Sequence, residues 1–168
     1  MKRSTSRILT THTGSLIRPP ELLDFVRSRK GGQPVDQHAF DATLAHAVGD
    51  VVRRQTTAGI DIPNDGEFGK STSWSLYALK RLSGFELRDV KGENPFARGA
   101  DRARFQEFYA ELEGRGDGKD WSNVTRQDAV CVGPIAYNGL FELQRDIDNL
   151  KAATKAASVD EAFLPVAA

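Results

Sequence analysis

Apolar and polar positions switch between two periods along this chain, and the switches mark out its elements. Ile8–Thr13 is rich in β-branched residues and closes on Gly14, which predicts a short strand entering a loop. Arg18-Pro19-Pro20 then predicts a helix start, since proline suits a first turn and Glu21 complements the helix dipole there. Leu22, Leu23, Phe25 and Val26 give that helix an apolar stripe, and Lys30-Gly31-Gly32 ends it. The strongest helical signal runs from Asp36 to Ala58. Asp36 is an N-cap residue, and Phe40, Leu44, Val48, Val51 and Gln55 recur at helical spacing. Gly59 stops this helix, and Ile60-Asp61-Ile62 reads as a short strand.

Farther on, Ser73 to Leu82 is amphipathic through Leu76, Leu79 and Leu82. Gly84 to Gly118 breaks the repeat, being charged and glycine-spaced, with one amphipathic helix around Arg104-Phe105, Phe108-Tyr109 and Leu112. Residues from about 84 to 128 read as an irregular surface excursion within a single domain over 1–168, a solvated loop being the plainer alternative. Ala129–Ile135 has a buried-strand pattern. Leu140, Leu143, Ile147, Leu150 and Thr154 then mark a helix, and Ala162–Val166 a further strand. Strand–helix–strand–helix, excursion, strand–helix–strand favours an α/β fold with a mostly parallel sheet and right-handed crossovers.

Composition narrows the partners more than the fold. Lysine plus arginine and aspartate plus glutamate number 23 each, so no global field favours nucleic acid or an anionic membrane. Hydrophobic residues make up 39% and charged residues 27%, which fits a globular chain rather than a disordered one. Cys131 stands alone, which excludes an internal disulfide and fits a reducing compartment. No apolar run approaches the ~20 residues of a membrane span, and no signal core follows Met1-Lys2-Arg3-Ser4, so a cytoplasmic location is expected.

Two polar clusters sit where predicted strands give way to loops. His12-Thr13-Gly14-Ser15 offers an imidazole, two hydroxyls and a glycine that lets a ligand approach the backbone. A turn with a surface histidine is its plainer reading. Asp65-Gly66-Glu67 is a carboxylate pair that can hold a substrate ammonium, bind a cation or act as acid and base. A solvated aspartate-glycine turn is the plainer alternative. Lys70 can pair with Glu67 or meet a substrate anion, against an ordinary surface charge. Trp74, with Tyr77 on the same helical face, can wall a pocket or simply fill the core. Metal ligation is not expected here. Cys131 reads as a buried small hydrophobe between Val130 and Val132, and His38 and His46 are too far apart for a helical pair. No phosphate loop and no nucleophile elbow is present.

Thr10-Thr11-His12-Thr13-Gly14-Ser15-Leu16-Ile17-Arg18-Pro19, followed by Gly59-Ile60-Asp61-Ile62-Pro63-Asn64-Asp65-Gly66-Glu67-Phe68-Gly69-Lys70, resembles the cobalamin-independent methionine synthase family. The likeness is to its single-barrel, methyltetrahydropteroyltriglutamate–homocysteine methyltransferase-like members. Val132-Gly133-Pro134-Ile135 and Glu161–Ala167 are similar to that family too. The resemblance implies a (β/α)8 barrel of the uroporphyrinogen decarboxylase and methionine synthase type. It implies bound zinc that holds a thiol as thiolate, and transfer to it of a methyl group from methyltetrahydrofolate. Thr13, Gly14 and Ser15 match the stretch that binds the amino-acid part of homocysteine, with threonine in place of isoleucine. Glu67 matches the glutamate that meets the substrate ammonium, while His12, Asp65, Lys70 and Trp74 would shape the site. The family's zinc ligands lie in later barrel strands. This chain is therefore expected to be the N-terminal part of the barrel, truncated before those strands, with no catalytic or metal-ligating residue of its own. Alone it is expected to show no turnover and to self-associate through unpaired barrel edges. Other thiol-alkylating or decarboxylating chemistry on the same barrel, or a non-catalytic binding module, are the alternatives.

Overall fold

A computed structural model describes residues 3–70, 74–89, 99–114 and 127–166. The chain forms two compact units, one from Met1–Leu82 with Tyr137–Ala168, the other from Ser83–Ala136. The first contains helices α1 (Pro20–Lys30), α2 (Gln37–Thr57), α3 (Trp74–Leu79) and α6 (Leu140–Ala156). The second contains β1 (Phe85–Asp89), α4 (Ala100–Arg104), α5 (Gln106–Gly114) and β2 (Gln127–Cys131).

The periodicity of α2 becomes the core of the first unit. Phe40, Leu44, Ala47, Val48, Val51 and Val52 are buried on one face, against Leu22, Phe68, Leu150 and Ala153. Phe25 meets Phe40 edge to face at 5.7 Å between centroids. Asp36 caps α2 by accepting the Ala39 amide at 3.1 Å, the role its side chain suits. At the other end Ile60 donates to the Gln55 carbonyl and Gly59 to that of Thr56, with Gly59 at φ +87°. This reverse turn delivers the chain straight into its next extended segment.

Three extended segments run parallel beside one another. Thr11 bridges Ile62, and Asn64 bridges Phe163. The Thr10 carbonyl accepts the amides of Asp61 and Ile62 at 3.1 Å each, and Phe163 donates to the Pro63 carbonyl at 3.3 Å. Arg7 pairs with Asp61, whose carboxylate also accepts the Thr10 amide at 2.8 Å. The arginine and that amide hold the Asp61 carboxyl well below its ordinary value. These contacts are single bridges rather than full ladders, and Ile8 is exposed, so Ile8–Thr13 is an extended segment with one paired position rather than a strand.

The second unit corrects part of the sequence reading. Ala129–Ile135 is not a buried strand of a parallel sheet. Its first residues belong to β2, which pairs antiparallel with β1 from Phe85↔Cys131 to Asp89↔Gln127. Val132 and Ile135 are 47% and 58% exposed. Cys131 is likewise exposed, not a core residue. A two-stranded antiparallel pair gives these apolar positions less burial than the parallel-sheet reading assigned to them. The helix expected around Arg104–Leu112 is interrupted at Phe105, giving α4 and α5. In the first unit the stretch expected to be helical from Ser73 to Leu82 is helical over Trp74–Leu79, with Ser73 outside the described residues. The described fold is mixed α/β, with its one small sheet antiparallel. None of its described helices is long and apolar enough to cross a membrane.

Candidate functional site

The two polar clusters meet. Ser15 and Glu67, 52 positions apart, are joined by a hydrogen bond in which Ser15 Oγ donates to Glu67 Oε2 at 2.5 Å. The backbone meets beside them, with the Leu16 amide donating to the Gly66 carbonyl at 3.0 Å. Each cluster follows a member of the parallel trio, so pairing Thr11 with Ile62 brings both loops to the same end.

A turn of side-chain-to-backbone bonds holds the carboxylates. Asn64 Oδ1 accepts the Gly66 amide at 2.8 Å and Asp65 Oδ1 accepts the Glu67 amide at 3.0 Å. These two bonds place Gly66 at φ +63° and Glu67 at φ +60°. Such a conformation is uncommon for a residue with a side chain and costs on the order of 1 kcal/mol or more. A β-carbon on Gly66 would also sit 3.0 Å from the Phe68 ring. Arg18 closes the loop from outside, donating through Nη2 to the carbonyls of Glu67 at 2.6 Å and Lys70 at 2.7 Å. Burial lowers the Arg18 pKa, opposed by the charges of Glu67 and Asp65.

Underneath, Asn64 is fully buried and satisfied on every side. Its Nδ2 donates to the His12 carbonyl at 2.5 Å, its amide donates to Gln55 Oε1 at 3.2 Å, and its carbonyl accepts Gln55 Nε2 at 2.7 Å. Asn64 therefore ties the His12 loop, the Glu67 loop and α2 together. Gln55 carried the sequence-level hint, a polar residue on the apolar face of α2, but nothing in its spacing identified the partner.

The individual residues fall as follows. Gly14 takes φ +105° with open space where a β-carbon would stand. Thr13 and Ser15 are exposed and His12 is half-buried. The Nε2 of His12 is itself buried with no hydrogen-bond partner among the described residues. Asp65 is 2% exposed rather than a solvated turn residue. Burial pushes its carboxyl above the ordinary value, opposed by the Glu67 amide and by Lys70. Lys70 is 9% exposed rather than a surface charge, and the alternative pairing with Glu67 is present, with Nζ 3.8 Å from Glu67 Oε1 and 5.3 Å from the Tyr77 ring centroid. Phe68, two positions before it, belongs to the core. The Trp74 side chain lies outside the described residues.

Sequence reasoning missed Arg18, Arg81, Arg145 and Asp146. Asp146 lies on α6, 5% exposed, accepting from Arg145 Nη2 at 3.0 Å and Arg81 Nη2 at 3.4 Å. A β-carbon on Gly69 would stand 2.6 Å from its Oδ1, so only glycine lets the loop approach this carboxylate. No sequence spacing links residues so far apart.

The described residues thus define an α/β unit whose polar loops converge at one end of a parallel trio. No family model matches the chain. It is 39% identical over 78 residues to a methionine synthase of Sulfolobus acidocaldarius, covering 46% of this chain and 22% of that protein. It is 38% identical over 81 residues to a methionine synthase of Sulfurisphaera tokodaii, again 46% of this chain and 22% of that one. The matched part of the chain is methionine synthase-like, and it spans about a fifth of the length of these curated relatives.

Proposed function

We propose that this chain carries the amino-acid-binding part of a methyltransferase site of the methionine synthase type, on the first strands of a (β/α)8 barrel. The observation that supports it best is the Ser15–Glu67 hydrogen bond, which brings the two clusters into contact. A zwitterionic amino acid would replace that bond with two stronger ones. Its ammonium would take the Glu67 carboxylate, and its carboxylate would accept the Ser15 hydroxyl and the backbone amides beside Gly14. The open space at Gly14 admits such an approach. Arg18 and Asp65 hold Glu67 in place, and His12 and Lys70 border the site. A thiol amino acid such as homocysteine is the substrate this reading assigns.

Zinc does not fit the described residues. No group of three or more His, Cys, Asp or Glu side chains among them is placed to hold a metal. The exposed Cys131 donates to its neighbour Gly133 at 3.4 Å. The reading therefore gives this chain binding and orientation of the thiol substrate, with metal and methyltetrahydrofolate held by other residues. A small-molecule partner and a cytoplasmic setting complete it, and unpaired segment edges favour self-association.

Calorimetric titration with L-homocysteine tests the assignment. Glu67→Gln and Ser15→Ala should each weaken binding by roughly tenfold, the scale of one charge-assisted hydrogen bond. Unchanged affinity in both folded variants would overturn it.

A further inference from the structure

We propose that the cleft between α1, α3 and the start of α6 is a second, oxyanion-binding subsite whose central charge is the Lys70 ammonium. The cleft has a volume of about 520 Å³, and Arg29, Lys70, Lys80 and Arg145 line it, with Glu142 as its one acid. Lys70 is nine-tenths buried, yet among the described residues its Nζ makes no hydrogen bond. The Glu67 carboxylate at 3.8 Å is beyond hydrogen-bond reach, and the Tyr77 ring offers only its face. An ammonium carries three donors, and burying it with all of them unused is unfavourable unless an acceptor arrives.

Of the other cations lining the cleft, Lys80 is exposed and both arginines are engaged. Arg145 is engaged by Asp146 and Asp41, at 3.0 Å and 3.2 Å, and Arg29 donates to Gln37 Oε1 at 2.8 Å. Glu142 lies 3.6 Å from Arg81 Nε, so its charge is partly met. Asn138 and Gly139 border the cleft at the start of α6, a helix of 17 residues with no side-chain cap at this end. Its first amides add donors and a positive dipole end to the lysine charge. A carboxylate or a phosphate group answers all of these features. This subsite adjoins the amino-acid site through Lys70 but rests on a different group, because such an anion needs neither Ser15 nor the Glu67 carboxylate.

The test uses inorganic phosphate and succinate, each titrated into the full chain at low ionic strength and followed by the Lys70 ¹³Cε resonance and the Lys70, Asn138 and Leu140 amides. Saturable shifts at these positions are expected with at least one probe, phosphate alone pointing to a phosphorylated ligand and succinate alone to a carboxylate. Lys70→Met should weaken binding by roughly tenfold or more, with Lys70→Arg retaining it. Glu67→Gln should leave it equal or tighter, since the competing carboxylate is gone, even if that variant still binds homocysteine normally. Absence of saturable shifts with both probes, shifts confined to Lys80, or full affinity in a folded Lys70→Met protein would overturn the proposal. Should Lys70→Met not fold, a Lys70 ¹³Cε resonance that stays still during the wild-type titrations overturns it equally.

Discussion

Glu67 occupies a backbone conformation that suits glycine better, and its neighbours hold it there. Asp65 accepts its amide, Arg18 takes its carbonyl, and Ser15 meets its carboxylate. Arg18→Met leaves the Glu67 and Lys70 carbonyls without that donor and should cost about 1–3 kcal/mol in urea unfolding. Asp65 gives a pH signature. Its folded pKa lies above the ordinary 3.8, so the native state holds this proton more tightly than the unfolded chain does. Its contribution to stability therefore falls as pH rises from 3.8 through the folded value. Asp65→Asn should accordingly be more stable than wild type at neutral pH, the gap closing as pH drops below 3.8. A gap that is constant across that range would show that burial does not govern this carboxyl. Ser15 and Glu67 were both legible in the sequence, through residue type and position after an apolar segment. Arg18 was not, because an arginine before two prolines reads only as the lead-in to a helix.

Helix ends are where the elements were written most plainly. The Asp36 cap and the Gly59 stop of α2 stand where the sequence placed them. All three long helices of the first unit finish with the same pair of backbone bonds, seen in Gln33 to Ser28, Ile60 to Gln55 and Val159 to Thr154. Gly32 and Gly59 supply the left-handed residue in two of them, but Ser158 supplies it in α6 at φ +53°. Ser158→Gly should therefore stabilise the protein by about 0.5–1 kcal/mol, visible as a higher midpoint in thermal unfolding. An unchanged or lower midpoint would mean that the serine side chain compensates its own strain. The strand at Ala129–Ile135 was misread because an apolar run does not reveal which partner pairs with it. Its register is set by Phe85–Asp89, far off in sequence and too charged to look like a strand.

At the scale of the whole chain, the residues that flank Ser83–Ala136 in sequence meet one another within the first unit. Leu82 and Tyr137 form an antiparallel bridge, and Asn138 donates to the Arg81 carbonyl at 2.9 Å. A variant that joins Leu82 to Tyr137 through a short glycine linker should keep the fold and ligand affinity of the first unit, because a short closure there costs little. Loss of helical circular dichroism well beyond the share of α4 and α5 would contradict this. The likeness to methionine synthases covers 46% of the chain, and the proposed binding of an amino acid extends to this scale. It is tested most directly by comparing L-homocysteine with 4-mercaptobutanoate, which lacks only the ammonium, on wild-type protein and on Glu67→Gln. Glu67→Gln should weaken homocysteine binding and leave 4-mercaptobutanoate binding unchanged. Equal losses for the two ligands, or none for either, would contradict the assignment of Glu67 to the ammonium.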